Sequence, residues 1–274
     1  MEILIYTFAF IFGTIIGSFL NVVILRLHTG QSISNDGSRC LSCSSALVWY
    51  ELIPVISFIL QKGRCRQCGS KISPQYLAVE LFAGIITALI VWKFVIGVSF
   101  DMIFFASFFA VVSYILLVMS VYDIKHMIIP DEFVYSFISL SLVFAIFFTG
   151  SLEHALSHIF AGIIFFGFFF GLWFISKGKW MGLGDAKISL GIGFLLGFSL
   201  GIPALIISFW SGAIIGIILV FASRFFALFL PPKYDSLKSE MPFGPFLSFG
   251  TIIAILFEPS ILDIASLFLL NIYG

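Results

Sequence analysis

Long apolar runs, separated by short polar punctuation, succeed one another along nearly the whole chain. A helix that crosses a bilayer needs about 20 mostly apolar residues. Runs of that kind fall near 3–25, 77–97, 102–122, 132–150, 155–176, 186–202, 204–224 and 243–257. The last continues, broken near Pro259, into a candidate ninth run at 260–272. The pattern predicts an all-α polytopic membrane protein of about eight transmembrane helices. One segment interrupts it. Residues 26–76 are polar and hold all four cysteines, and they read as a small domain inserted between the first two helices. The predicted organisation is a first transmembrane helix at 1–25, an inserted domain at 26–76 and a helical bundle at 77–274. No internal repeat of the kind that builds inverted-half transporters is visible.

Composition agrees with the pattern. The chain is 61% hydrophobic and 10% charged, where a soluble domain is nearer half apolar and a quarter charged. Its 36 Phe residues exceed what a soluble core of this size hides, so the lipid bilayer is the expected surrounding. Net charge is zero, which gives no sign of a nucleic-acid partner. The first run, Ile3 to Leu25, lacks a basic leading region and a small-residue cleavage site, and reads as a retained anchor.

Charge then sets the orientation. With the N-terminus outside and eight alternating spans, the cytoplasmic segments are 26–76, 123–131, 177–187 and 224–242. They hold thirteen of the fourteen Lys and Arg residues, all but Lys93. Glu2, Asp101, Glu153 and Glu258 fall on the outer side. This is the asymmetry of the positive-inside rule. It predicts a multi-pass protein of the cytoplasmic membrane whose inserted domain faces the cytosol.

Cys40 and Cys43, then Cys65 and Cys68, form two C-x2-C pairs separated by twenty-one residues. Each pair turns two sulfurs toward one point, which suits tetrahedral zinc. Four free thiols or two disulfides are the plainer readings, and disulfides are disfavoured in the cytosol. A set of four sulfurs leaves no open position, so the expected zinc is structural.

Two acids lie at the predicted membrane edge, where ionisable residues mark function by default. Asp123 ends the third span, before Ile129-Pro130-Asp131, with Pro130 expected to break the helix. Asp185 opens the sixth, in Gly182-Leu183-Gly184-Asp185-Ala186-Lys187. The orientation brings both to the cytoplasmic side. Two adjacent carboxyls share one proton, the state in which one activates water and the other polarises a carbonyl. The plainer reading makes each an interfacial anchor paired with Lys125 or Lys187.

Smaller features carry double readings. Gly17, Ser18 and Asn21 share a helical face, for packing or for contact with a ligand. Glu51 and Glu80 stand near the membrane edge as anchors or as ligand contacts. His154 and His158, spaced i, i+4, read as a solvated helix start and not as a metal pair.

These motifs together resemble the bacterial type IV prepilin peptidases, the leader peptidase/N-methyltransferases. Gly17-Ser18-Phe19-Leu20-Asn21 with Arg26 is similar to the family's opening helix. Glu51-Leu52-Ile53-Pro54 and the two cysteine pairs are similar to its cytoplasmic domain. The Asp123 and Asp185 motifs and Pro242-Phe243-Gly244-Pro245 follow in the family's order. The resemblance implies an intramembrane aspartate protease of the bacterial inner membrane, with Asp123 and Asp185 in the catalytic positions. It implies that type IV prepilins or pseudopilins lose their basic leader at the cytoplasmic face. It further implies N-methylation of the new terminus with S-adenosylmethionine, because the complete cysteine set matches the bifunctional members. Leu27-His28 departs from the proline that the family often has after Arg-Leu. A peptidase without methyl transfer, and a zinc-stabilised transporter or scaffold whose aspartates carry protons, stand as alternatives.

Overall fold

The computed structural model describes residues 2–33, 37–95, 99–225 and 241–259. Its elements are α1 (Glu2–Arg26), a 3-10 turn at Trp49–Glu51, α2 (Ile56–Leu60), α3 (Pro74–Phe94), α4 (Phe100–His126), α5 (Asp131–Phe147), α6 (Leu152–Ser176), α7 (Leu183–Phe225) and α8 (Gly244–Phe257). Among the described residues there is no strand, only two isolated bridges in the cysteine loop. The candidate ninth run at 260–272 lies outside the described residues.

Among the described residues, five helices are long and apolar enough to cross a membrane: α1, α3, α4, α6 and α7. At 17 and 14 residues, α5 and α8 are shorter and rise only about 26 Å and 21 Å. Eight separate helices of spanning length are therefore not seen among the described residues. Part of the difference lies in α7, which takes up both the 186–202 and the 204–224 runs. The two runs adjoin at Pro203, but the break is at Gly197, whose φ of 62° and ψ of −161° are not helical. That backbone region is essentially reserved for glycine, whereas a proline inside a membrane helix is tolerated. Contacts on the two sides of Gly197 run in opposite senses. Before it, Gly193 lies against Gly162 and Phe194 bonds His158, moving back along α6. After it, Gly201 lies against Phe165 and Phe209 stacks on Phe169, moving forward along α6. The two legs of α7 are antiparallel.

The chain divides into two compact units, Met1–Val118 and Met119–Gly274. In the first, α1 packs along α3. Gly17 permits it: a Cβ there would lie 2.8 Å from Glu80 Cα and 2.9 Å from Val79 O. Backbone cannot step aside as a side chain does, so Gly17→Ala should destabilise the pair by about 1–3 kcal/mol, read as a lower unfolding midpoint in detergent. In the second unit, α7 packs against α5, α6 and α8.

Polarity is distributed as a bilayer requires. Ser113, Ser141, Ser189, Ser208 and Thr251 are fully buried, while Phe8, Phe12, Ile163, Phe168 and Phe174 are more than half exposed. Small and hydroxylated residues between helices with bulk facing outward is the arrangement of helices packed in lipid.

Candidate active site

Both aspartates sit at helix ends in the second unit. Helix α4 runs through Asp123 to His126, and the chain leaves it at Met127, which takes a positive φ of 56°. Pro130 was expected to break the helix, but the helix has already ended and Pro130 instead precedes the first residue of α5. Asp123 is 5% exposed, and its Oδ2 accepts the Gly244 N–H at 3.1 Å. Gly244 is the first residue of α8, 121 positions away.

Asp185 is the third residue of α7 and equally buried. Its Oδ2 accepts the Gly182 N–H at 3.2 Å, the reach of an N3 acid back to the residue before its helix. Capping needs only one oxygen. The other, Oδ1, is buried with no protein partner, so the carboxyl keeps an atom for something else. A single side chain joins the two motifs: Ile129 Cδ1 lies 2.9 Å from where a Cβ on Gly184 would stand and 3.3 Å from one on Gly244. Asp123 and Asp185 are close enough to interact electrostatically.

The anchor reading required lysine partners. Lys187 instead bonds Asp131 at 2.6 Å and lies over the Tyr135 ring at 5.1 Å, and Lys125 is exposed. Among the described residues neither Asp123 nor Asp185 is in an ion pair.

In the first unit the four cysteines form one cluster, with all sulfurs within 4.8 Å of one another. None is in a disulfide. The two pairs are built alike. Cys40 N–H donates to Ser45 O and Cys65 N–H to Ser70 O, each at 2.9 Å. Ser44 and Gly69 turn back onto Cys40 O and Cys65 O from positive φ, and Arg39 bridges Ala46 as Arg64 bridges Lys71. A serine hydroxyl stands 3.1 Å from Cys43 Sγ and another 3.1 Å from Cys68 Sγ. Tetrahedral zinc at Zn–S of about 2.3 Å needs sulfurs about 3.8 Å apart, and Cys40 and Cys68 are 3.9 Å apart. Backbone N–H groups of Cys43 and Ser42 pull the Cys40 thiol down to about 6, and the Ser70 hydroxyl lowers Cys68. Thiolate is the form that binds metal; burial and the neighbouring Cys40 and Cys68 side chains raise Cys65 in turn, and it is the spacing of the four sulfurs that fits the ion.

Other candidates make local contacts. Glu51 Oε2 accepts the Val48 N–H at 3.1 Å, closing its own 3-10 turn. Glu80 Oε2 accepts the Val55 N–H at 2.7 Å. Asn21 Nδ2 bonds Gly17 O and Tyr76 O. His154 is exposed as expected, but His158 is part-buried, with Nδ1 2.9 Å from Phe194 O beside the Gly197 break. Helix breaks orphan carbonyls, and an imidazole N–H supplies the missing donor. The Gly244 N–H and the Ile129 wedge are contacts that sequence reasoning did not find; the Pro-Phe-Gly-Pro turn was their only signal.

Two family models match the chain. The Bacterial Peptidase A24 N-terminal domain covers residues 11–94 and the Type IV leader peptidase family covers 110–217. A prepilin leader peptidase/N-methyltransferase of Bacillus subtilis (strain 168) is 31% identical, over 93% of this chain and 95% of its own length. Those of Stutzerimonas stutzeri and Myxococcus xanthus (strain DK1622) are 29% and 30% identical, over 92% and 79% of this chain and 91% and 63% of theirs. No solved structure matches the chain. Identity at this level along nearly the full length of the Bacillus protein, with both domain models in order, makes this chain a member of the type IV leader peptidase family.

Proposed function

We propose that this protein is a bifunctional enzyme of the bacterial inner membrane. It cleaves the basic leader from type IV prepilins and pseudopilins with Asp123 and Asp185, and it methylates the new N-terminal residue with S-adenosylmethionine. Membership in the family and the names of its relatives support both activities. The observation that carries the aspartate assignment is the buried, partnerless Asp185 Oδ1 on a motif that Ile129 ties to the Asp123 partner Gly244.

Each carboxyl has one oxygen held by a backbone N–H, which fixes its orientation without adding charge. One shared proton leaves one group able to draw a proton from water and the other able to donate to the scissile carbonyl. In this reading the chain has eight spans, the two antiparallel legs of α7 counted separately, with the N-terminus outside, and the charge asymmetry along the sequence supports cleavage on the cytoplasmic side. A prepilin is itself an apolar helix with a basic leader that the same charge rule retains inside, so its cleavage point reaches that side. The cysteine cluster is a structural zinc site that organises residues 26–76. The methyl donor, when bound, supplies an electrophilic methyl group on a sulfonium.

The test is incubation of purified protein in detergent with a prepilin, with and without S-adenosylmethionine. Mass spectrometry should show loss of the leader, then the added mass of one methyl group only when the donor is present. An uncut prepilin refutes the assignment; cleavage with no methyl gain reduces the protein to a peptidase. For the metal, the expected stoichiometry is one zinc per chain, with Cys65→Ser losing most of it. Protons compete for the thiolates, so retention should fall as pH falls, followed by metal analysis after dialysis across a pH series. A folded sample free of zinc at neutral pH contradicts the site.

A further inference from the structure

Where α1 crosses α3, the first unit holds a polar corner that the two aspartates do not use. Asn21 is 1% exposed and Glu80 is 7% exposed. Both partners of Asn21 Nδ2 are carbonyl oxygens, which fixes the amide orientation. Its Oδ1 is buried and has no partner. One residue before Tyr76, the buried Gln75 Nε2 has none either. The Glu80 carboxyl accepts the Val55 N–H at 2.7 Å, and the Ser18 hydroxyl lies near it. Val55 is itself strained: at φ 62°, ψ −53° it is the centre of a γ-turn that the Ile56 N–H closes on Pro54 O at 2.6 Å. Positive φ at a β-branched residue is a true outlier, and such strain gathers at binding sites.

We propose that this corner binds an α-ammonium group during methyl transfer, with Asn21 Oδ1 and the Glu80 carboxylate as its acceptors. The proposal rests on the bifunctional reading above. An ammonium offers three N–H donors and no acceptor. It therefore satisfies a buried carboxamide oxygen and a buried carboxylate together, and an unpaired buried polar atom is costly. Two participants carry such a group. One is the new N-terminus released by cleavage. The other is the amino-acid end of the methyl donor, whose carboxylate would also answer the Gln75 Nε2 donor. If the new N-terminus is held, Glu80 takes a proton from it and exposes the nitrogen lone pair. That pair bonds the methyl carbon, the carbon–sulfur bond breaks with its electrons left on sulfur, and a neutral thioether departs. The product is a secondary ammonium, and the proton on Glu80 passes to water.

The experiment uses the full chain in detergent with Glu80→Gln, Asn21→Ala and Gln75→Ala. Glutamine keeps an oxygen for the Val55 N–H, so zinc content and leader cleavage should stay near those of the unsubstituted protein. Methyl transfer should fall about 100-fold in Glu80→Gln, and in Asn21→Ala as well. Equilibrium dialysis with labelled S-adenosylmethionine identifies the source. If the donor is held, its Kd rises in all three variants. If the new N-terminus is held, the Kd is unchanged, Gln75→Ala is silent, and a peptide with a free N-terminus loses its binding advantage over its acetylated form in Glu80→Gln. Wild-type methyl transfer and donor affinity in Glu80→Gln overturn the proposal, as does a loss that only follows zinc loss. If the unsubstituted protein transfers no methyl group, the bifunctional reading fails by itself; the corner then stands or falls on the free-versus-acetylated comparison, and equal binding of the two peptides overturns it.

Discussion

Asp123→Asn and Asp185→Asn should each abolish leader cleavage, lowering the rate by about 1,000-fold or more, while leaving bound zinc unchanged. Asparagine matches aspartate in size and keeps an oxygen for the Gly244 or Gly182 N–H, so the local structure persists and only the shared proton is lost. Asp185 allows a sharper statement. Its Oδ2 caps the helix, a task that asparagine performs too; its Oδ1 is buried and bonds nothing among the described residues. Cleavage retained in Asp185→Asn would make Asp185 a cap and nothing more. The double variant should be no slower than either single one, because a pair that shares one proton acts as a unit. Cleavage of a fluorescent prepilin by all three proteins, at matched zinc content, is the measurement.

The second large effect is expected from a residue with no side chain. A Cβ on Gly244 would stand 2.7 Å from Asp123 Oδ2 and 3.3 Å from Ile129 Cδ1. Gly244→Ala must therefore push the carboxylate off the very N–H that orients it. A misplacement of about 1 Å at a reacting group costs about 100-fold in rate, so cleavage should fall by that order with zinc content and expression preserved. Gly171→Ala is the control, since nothing lies within 4 Å of its added Cβ; it should cut normally. Equal activity in the two variants would contradict the geometry given for Asp123.

What could be read from the sequence follows the range of the forces involved. Apolar length reports on the bilayer directly, so α1, α3, α4 and α6 lie close to their predicted runs. The cysteine cluster was legible because two C-x2-C pairs encode their own geometry. Charge near the aspartates was legible only in part: Lys187 could be seen as a cation near Asp185, but nothing in the order of residues says that it bonds Asp131, 56 positions away. Breaks were legible only where a residue type forces them. Proline at 203 is conspicuous yet stays within a helix, whereas Gly197 turns the chain through a backbone conformation that most glycines in helices never use. Contacts of Asn21 with Tyr76 and of Glu80 with Val55 join positions 55 and 25 apart; the first depends on how closely α1 and α3 approach, the second on how the cysteine loop folds back onto α3.

The two carboxyl groups are held by tethers of very different length. Asp185 is tied to a residue three positions before it on the same helix start, a loop too short to yield when helices part. Asp123 is tied to the head of α8, across 121 positions of chain. A substrate helix that wedges α8 aside would strip Asp123 of the backbone donor it has among the described residues and leave Asp185 as it was. The pair is thus asymmetric in compliance: one acid is a fixed reference, and the other has surroundings that report whether the bundle is open.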